Sequence, residues 1–222
     1  RSWSIARKKN VWTTRPMPGK HSLEGAIPIS TILRDYLNVC DTKREAKIIL
    51  NDGAVLVDQR VVREPKTAVG LMDVISLPKM KIHLRTVLDN HGRIQFVDVK
   101  ATEAKWKLVR VENKVVVKGG KTQLNLHDGT NLISDKKVKT GDVLQLSLPS
   151  MKIKKILEFK EGAQALIIGG AHVGSIAKIK EIEITRSTKP NLVMYDDFQT
   201  IKPYSFIVGE KKAMVTLPEV KV

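Results

Sequence analysis

The sequence predicts an α+β, multi-domain chain. Its segments are a basic N-terminal arm over 1–27, a module of two short helices plus a small sheet over 28–86, a central β-rich domain over 87–155, and a small C-terminal barrel with a tail over 156–222. Three observations predict this order. Helical spacing of apolar residues is concentrated ahead of Gly53; short β-rich runs punctuated by Gly, Pro and Asp dominate the chain beyond it; and a stretch bearing three glycines sits between two strand-like runs near the C-terminus.

The first helix is expected from Pro28, which suits a first helical turn. Ile29, Ile32, Leu33, Tyr36 and Leu37 then recur at i, i+3, i+4, i+7 and i+8, ending near Asn38. The second is bounded at both ends. Thr42 and Glu45 form a capping-box pair, and Asn51-Asp52-Gly53 supplies a stop, because Gly enters the left-handed region without a Cβ clash. Between them Ala46, Ile49 and Leu50 make an apolar stripe, and Lys43, Arg44 and Lys47 share the neighbouring face. Arg34 lies off the stripe of the first helix. Two strand-like runs, Ala54 to Val57 and Arg60 to Val62, then meet around Asp58-Gln59, with Arg60 and Arg63 adding charge.

Val74 to Leu77 reads as a strand ending at Pro78, followed by a polar, basic connection through Lys79 to Ile82. A short helix capped by Thr102 is expected through Leu108. Val109 to Val117 is expected as strand interrupted at Glu112-Asn113-Lys114, and Leu124 to Leu126 turns at His127-Asp128-Gly129. Leu144, Leu146 and Leu148 alternate with Gln145 and Ser147, the period of a half-buried strand. From Lys105 to Lys121 six basic residues face one acid, Glu112. Any one of them reads as the wet face of a sheet, but six of one sign suggest a partner.

In the last segment a strand enters Gly169-Gly170, leaves through Gly174, and continues as a strand alternating through Ile182 and Ile184. Leu192 to Tyr195 and Phe206 to Val208 complete the barrel-like pattern. The glycines imply positive φ or close backbone approach. They do not form a nucleotide loop, because no Gly-Lys-Ser/Thr opening a helix comes after them.

Charge limits the function classes. With 39 Lys and Arg against 23 Asp and Glu the formal charge is +16, a field that draws polyanions, so nucleic acid is the expected partner. No apolar run approaches the roughly 20 residues of a spanning helix, and Arg7-Lys8-Lys9 is followed by Asn10-Val11-Trp12-Thr13, not by the apolar core of a signal peptide. A membrane partner is therefore not expected. Cys40 is alone, which suits a reducing cytoplasm, and the five histidines show no ligand spacing, so neither a metal nor another cofactor is expected. The expected contact residues are Arg34, Lys43, Arg44, Lys47, Arg60 and Arg63 on the helical module, with Arg7, Lys8, Lys9 and Arg15 on an arm that orders on RNA. Trp3 and Trp12 stack on bases or anchor the arm. The chain begins without Met, which reads as a processed or trimmed terminus.

The stretch 34–58 resembles the αL RNA-binding motif named after bacterial small-subunit ribosomal protein four, and 161–179 resembles a KOW motif, found in SH3-like barrels. Arg1-Ser2-Trp3-Ser4-Ile5, Trp12-Thr13-Thr14-Arg15-Pro16, Val69-Gly70-Leu71-Met72-Asp73-Val74-Ile75-Ser76 and Ala104-Lys105-Trp106-Lys107-Leu108 extend the likeness to nearly the whole chain. Their order is similar to the archaeal and eukaryotic e-type small-subunit ribosomal protein four family, its archaeal branch being the expected one. Departures are Asp58-Gln59 where such hairpins often carry Asp-Gly or Asn-Gly, Ala171 where KOW motifs often carry Lys or Arg, and a basic extension mostly missing ahead of Trp3.

The resemblance implies a structural, non-enzymatic protein of the cytoplasmic ribosome, an SH3-like C-terminal barrel, small-subunit rRNA and neighbouring ribosomal proteins as partners, and no small-molecule substrate. An alternative is a pseudouridine synthase that borrows the αL motif. Its catalytic stretch resembles Gly-Arg-Leu-Asp, whereas Gly92-Arg93-Ile94-Gln95 has Gln where the carboxylate belongs. A KOW-containing transcription factor is the other alternative, and it leaves the helical module without a role. A tyrosyl-tRNA synthetase would need a βαβ pattern that is not present.

Overall fold

A computed structural model describes residues 3–6, 8, 11–210 and 212–216. The fold is α+β, with short helices and several small antiparallel sheets. It divides into two compact units, one formed by Arg1–Val87, Arg93–Lys107 and Ser147–Met151, the other by Leu88–Gly92, Leu108–Leu146 and Lys152–Val222. The stretch 87–155, expected as a central domain, is thus shared between them.

In the first unit, strand β1 (Ala26–Pro28) leads into helix α1 (Ile29–Thr31), which widens into a π-helical turn over Ile32–Tyr36. Pro28 is the last residue of the strand and the N-cap, with ψ 140°, so the helix starts one residue later than its sequence suggests. Helix α2 (Lys43–Asn51) comes next, then β2 (Leu56–Val57), β3 (Arg60–Val61), β4 (Ala68–Gly70), β5 (Val74–Leu77), β6 (Ile82–Leu88) and β7 (Ile94–Asp98). β1 pairs with β4, and a second sheet runs β3-β2-β5-β6-β7. Ile27, Ile29, Ile32, Leu33, Ala46, Leu50, Val69 and Ile75 are fully buried here. At roughly 1.5–3 kcal/mol for each fully buried large aliphatic side chain, this core orders helices too short to persist alone.

The arm is anchored where it is described. Trp3 bridges Ile94, its indole N–H donates to Ala26 O at 2.8 Å, the Ser4 amide donates to Tyr36 Oη at 2.8 Å, and the Met17 amide donates to Lys66 O at 2.8 Å. Thr14 and Pro16 are buried. An arm without structure of its own is therefore not what these residues form, because backbone groups and one aromatic ring tie them down.

The Thr102-capped helix is corrected as well. Only a 3-10 turn forms, over Glu103–Lys105, Thr102 makes no side-chain cap bond, and strand β8 (Trp106–Val116) begins at once. β8 is continuous through Glu112-Asn113-Lys114, where a register shift between Val111 and Asn113 marks a bulge instead of a turn. With β9 (Thr122–Leu126), β10 (Asn131–Ile133), β11 (Val143–Ser147) and β12 (Lys152–Leu157) it makes a sheet of order β10-β9-β8-β11-β12. In β11, Leu144 and Leu146 are buried while Gln145 and Ser147 are half-exposed, as their period requires.

The C-terminal stretch builds two three-stranded sheets. One comprises β13 (Gln164–Ile167), β14 (Ile176–Lys178) and β18 (Ser205–Gly209); the other comprises β15 (Glu181–Glu183), β16 (Leu192–Met194) and β17 (Gln199–Ile201). The expected single strand through Ile182 and Ile184 is broken. Ile179 still bonds to Ala163, but the Lys180 amide donates to Met194 O, so the chain changes sheets between these two residues.

Candidate nucleic-acid interface

α2 is locked at both ends. Thr42 is extended, its Oγ1 accepts the Glu45 amide at 3.2 Å, and Glu45 Oε2 accepts the amides of Asp41 and Thr42 at 3.0 and 3.4 Å. The Asp41 amide, followed by the Thr42 hydroxyl, holds the Glu45 carboxyl below its ordinary pKa. At the other end Gly53 has φ +67°, its amide donates to Leu50 O at 3.0 Å, and the Ala54 amide reaches Ile49 O at 3.4 Å. This paired arrangement is a Schellman motif, which satisfies the last carbonyls of the helix. Ala46 and Leu50 are buried, whereas Lys43, Arg44 and Lys47 are exposed and make no ion pair among the described residues. Ile48, 56 % exposed, joins this basic face, a feature the apolar stripe did not anticipate.

Arg60 on β3 and Arg63 just beyond it are also exposed. The hairpin that carries Arg60 turns through Asp58 and Gln59 with φ +53° and +61°, the two positive values of a type I′ turn. Gln59 tolerates this because its amide nitrogen donates to Ala104 O at 3.1 Å and Ser76 Oγ at 3.3 Å.

Arg34 is placed differently. Its Nε and Nη2 donate to the two carboxylate oxygens of Asp35 at 3.1 and 2.7 Å, and that hydrogen bonding raises its pKa despite partial burial. The neighbouring carboxylate neutralises it, so Arg34 does not offer the free fork expected of it. Lys8 and Arg15 are exposed; Arg7 and Lys9 lie outside the described residues. Trp12 is 86 % exposed, while Trp3 is held as above.

Two of the strand cations are internal. Arg110 donates to Glu112 Oε1 at 2.6 Å from Nη2 and to Pro203 O at 2.6 Å from Nη1. Lys107 is buried between two buried carboxylates, at 2.7 Å from Asp58 Oδ2 and 3.1 Å from Asp73 Oδ1. Lys20 Nζ shares Asp58 Oδ2 at 2.8 Å, and His21 Nε2 donates to Asp73 Oδ2 at 2.7 Å. Burial would push Asp73 up, but the Lys107 ammonium and then His21 outweigh it and hold its carboxyl well below the usual range. Burial, with the Asp73 charge adding to it, raises Asp58. Sequence reasoning missed this network; its one local signal is a lysine between Trp106 and Leu108 in a strand.

The glycine-bracketed stretch joins β13 to β14. Gly170 and Gly174 have positive φ, and Gly169 lies against the Tyr204 ring.

A capped basic helix feeding a short hairpin defines the class: residues 28–75 match the S4 domain, and residues 80–153 match the ribosomal family S4e. The chain is 44% identical over 219 residues to the small ribosomal subunit protein eS4 of Methanosphaera stadtmanae, covering 97% of this chain and 91% of that one. It is 41% identical over 221 residues to the eS4 of Methanothermobacter thermautotrophicus, with the same coverage of 97% and 91%. The crystal structure of the 30S ribosomal protein S4e from Thermoplasma acidophilum is similar at a TM-score of 0.75 and 38% identity, over 86% of this chain and 99% of that one. The chain belongs to the eS4 family of small ribosomal subunit proteins.

Proposed function

We propose that this chain is a structural constituent of the small ribosomal subunit, binding its rRNA and supporting subunit assembly and translation. The observation that carries this reading is the α2 face, where Lys43, Arg44 and Lys47 stand exposed, without a carboxylate partner among the described residues, on a helix fixed at both ends. Arg60 and Arg63, with Lys8 and Arg15, extend the set. Arginine grips two phosphate oxygens with its planar fork, and lysine acts as a point charge. A-form RNA hides its base edges in a deep major groove, so such a face reads shape, phosphates and 2′-hydroxyls more than sequence.

The chain is not an enzyme, in keeping with its membership of a family of structural ribosomal proteins. Among the described residues no helix is long and apolar enough to cross a membrane. Cytoplasmic ribosomes are the proposed location, with neighbouring ribosomal proteins as further partners. The glycine-bracketed hairpin and its two sheets are proposed as a KOW-bearing SH3-like barrel, supported by the change of sheet at Ile179 and Lys180. The segments 1–27, 28–86, 87–155 and 156–222 are proposed as its functional divisions.

Filter binding of small-subunit rRNA across a salt series tests the reading. Neutralising about six phosphates gives a slope of log K against log salt of roughly −4 to −5. Arg44→Glu with Lys47→Glu should weaken binding far more than Lys180→Glu with Lys189→Glu, which are exposed elsewhere. A slope near zero, or equal losses for the two pairs, overturns it.

A further inference from the structure

The second unit carries a basic feature that the α2 reading does not use. Lys114, Lys139, Thr140, Asp142, Phe159 and Lys202 line a cleft of about 320 Å³. A second cleft of about 340 Å³ shares Lys114 and Lys139 and adds Lys136 and Lys137, with one acid, Asp135, among them.

Two of these ammonium groups, those of Lys202 and Lys114, are held in place by specific contacts. Lys202 Nζ donates to Thr140 O at 3.0 Å and lies 5.2 Å from the centre of the Phe159 ring, so carbonyl and aromatic face orient it together. Lys114 Nζ donates to Val138 O at 2.6 Å. Gly141 makes room for this arrangement: it has φ +97°, and a Cβ there would lie 2.8 Å from Lys202 Cε. Asp142, the buried carboxylate of the cleft, is committed to the backbone, its Oδ2 accepting the Lys139 amide at 2.7 Å and its Oδ1 the Phe159 amide at 2.9 Å. Asp142 thus holds the walls of the cleft together. Lys114, Lys139 and Lys202 have no carboxylate partner among the described residues.

An ammonium has three donors, and the one carbonyl bond seen at Lys114 and at Lys202 leaves the others for a ligand. Several convergent cations with free donors call for an anion rich in acceptor oxygens, which is a phosphate. Because the lysines continue into the second cleft, the row suits a polyanion better than a single ion. We propose that this cleft is a second RNA site, gripping the phosphodiester backbone of small-subunit rRNA through Lys114, Lys139 and Lys202. The inference rests on the proposed rRNA-binding function and adds a contact that α2 does not make.

The test is lysine footprinting of the full chain with an acetylating N-hydroxysuccinimide ester, read by mass spectrometry, with and without small-subunit rRNA. Lys114, Lys139 and Lys202 should be protected several-fold, and Lys180 and Lys189 should not. Replacing the three cleft lysines by glutamine should make the salt slope shallower by about 2 to 3, at roughly 0.7 to 0.9 per phosphate. The same change at Lys180, Lys189 and Lys212 should leave it nearly unaltered. Gly141→Ala keeps the charge but displaces Lys202, and should reduce protection of Lys202 selectively. Circular dichroism checks its folding, and the glutamine variants decide the matter if it misfolds. Intact rRNA binding with unprotected cleft lysines, or equal slope changes from the two triple variants, overturns the second site. Equal protection by inorganic phosphate alone, or by an acidic peptide in place of rRNA, overturns the RNA assignment. A wild-type chain that binds no rRNA overturns the proposed function itself.

Discussion

Lys107 and Lys47 carry the same ammonium, yet one is sealed between Asp58 and Asp73 while the other stands on the open face of α2. The first is a counter-ion, because two buried carboxylates without it would repel each other in a medium of low polarity. Its setting predicts how stability varies with pH. The Asp73 carboxyl is depressed in the folded state, so its contribution is complete above the ordinary carboxylate value of about 3.9 and is lost as pH falls through its folded value. Asp58 has the opposite sign. Its carboxyl is raised, so its contribution is present at low pH and is lost as pH rises through its folded value. Asp73→Asn should therefore flatten the acid limb of stability. Urea unfolding between about pH 2 and 6 measures this, and identical pH dependence in wild type and variant would refute it.

The strength of α2 as an element lies at its ends. Nine residues are too few to hold a helix by propensity alone, so the capping box at Thr42 and Glu45 and the Schellman motif at Gly53 matter along with burial of Ala46 and Leu50. Thr42→Ala removes the acceptor for the Glu45 amide and should cost about 0.5–2 kcal/mol, seen as a lower urea midpoint with the slope unchanged. The frayed first turn should also weaken rRNA binding, since Lys43 and Arg44 ride on it. A variant as stable as wild type would show that packing alone holds the helix. Both caps were legible in the sequence, because a cap is a local pattern of four or five residues. The same logic at Thr102 predicts a helix that does not form. There Trp106 starts a long strand whose ladder outweighs one helical turn, and no local pattern reveals that competition.

For the whole molecule the governing quantity is the formal charge of +16. Such an excess favours encounter with a polyanion and burdens the free protein with self-repulsion. Raising ionic strength from about 0.01 to 0.15 M shortens the screening length from roughly 30 to 8 Å. The free chain should then unfold at a higher temperature, while its affinity for rRNA falls. Differential scanning calorimetry tracks the first effect, and a melting temperature that drops with salt would show that its ion pairs outweigh the repulsion.

Charge balance, the two caps, the period of β11 and the glycine-bracketed turn were readable in the sequence, since each depends on composition or on neighbours a few residues apart. The order of motifs along the chain likewise pointed to the eS4 family. Which cations are available to a ligand was not readable. Lys107 and Arg110 resemble Lys47 in sequence, and only the fold brings Asp58 and Asp73 around the first and Pro203 O to the second; Asp35 and Glu112 lie next to Arg34 and close to Arg110 in the chain, but a short spacing alone does not dictate that they pair. Tertiary structure also decided that the chain changes sheets after Ile179 and that Gly141 admits Lys202 beside Phe159. The physical reason is that a side chain's role is set by the groups its fold packs around it, and for Lys107 and for the bond from Arg110 to Pro203 O those groups lie tens of residues away, where no local pattern points to them.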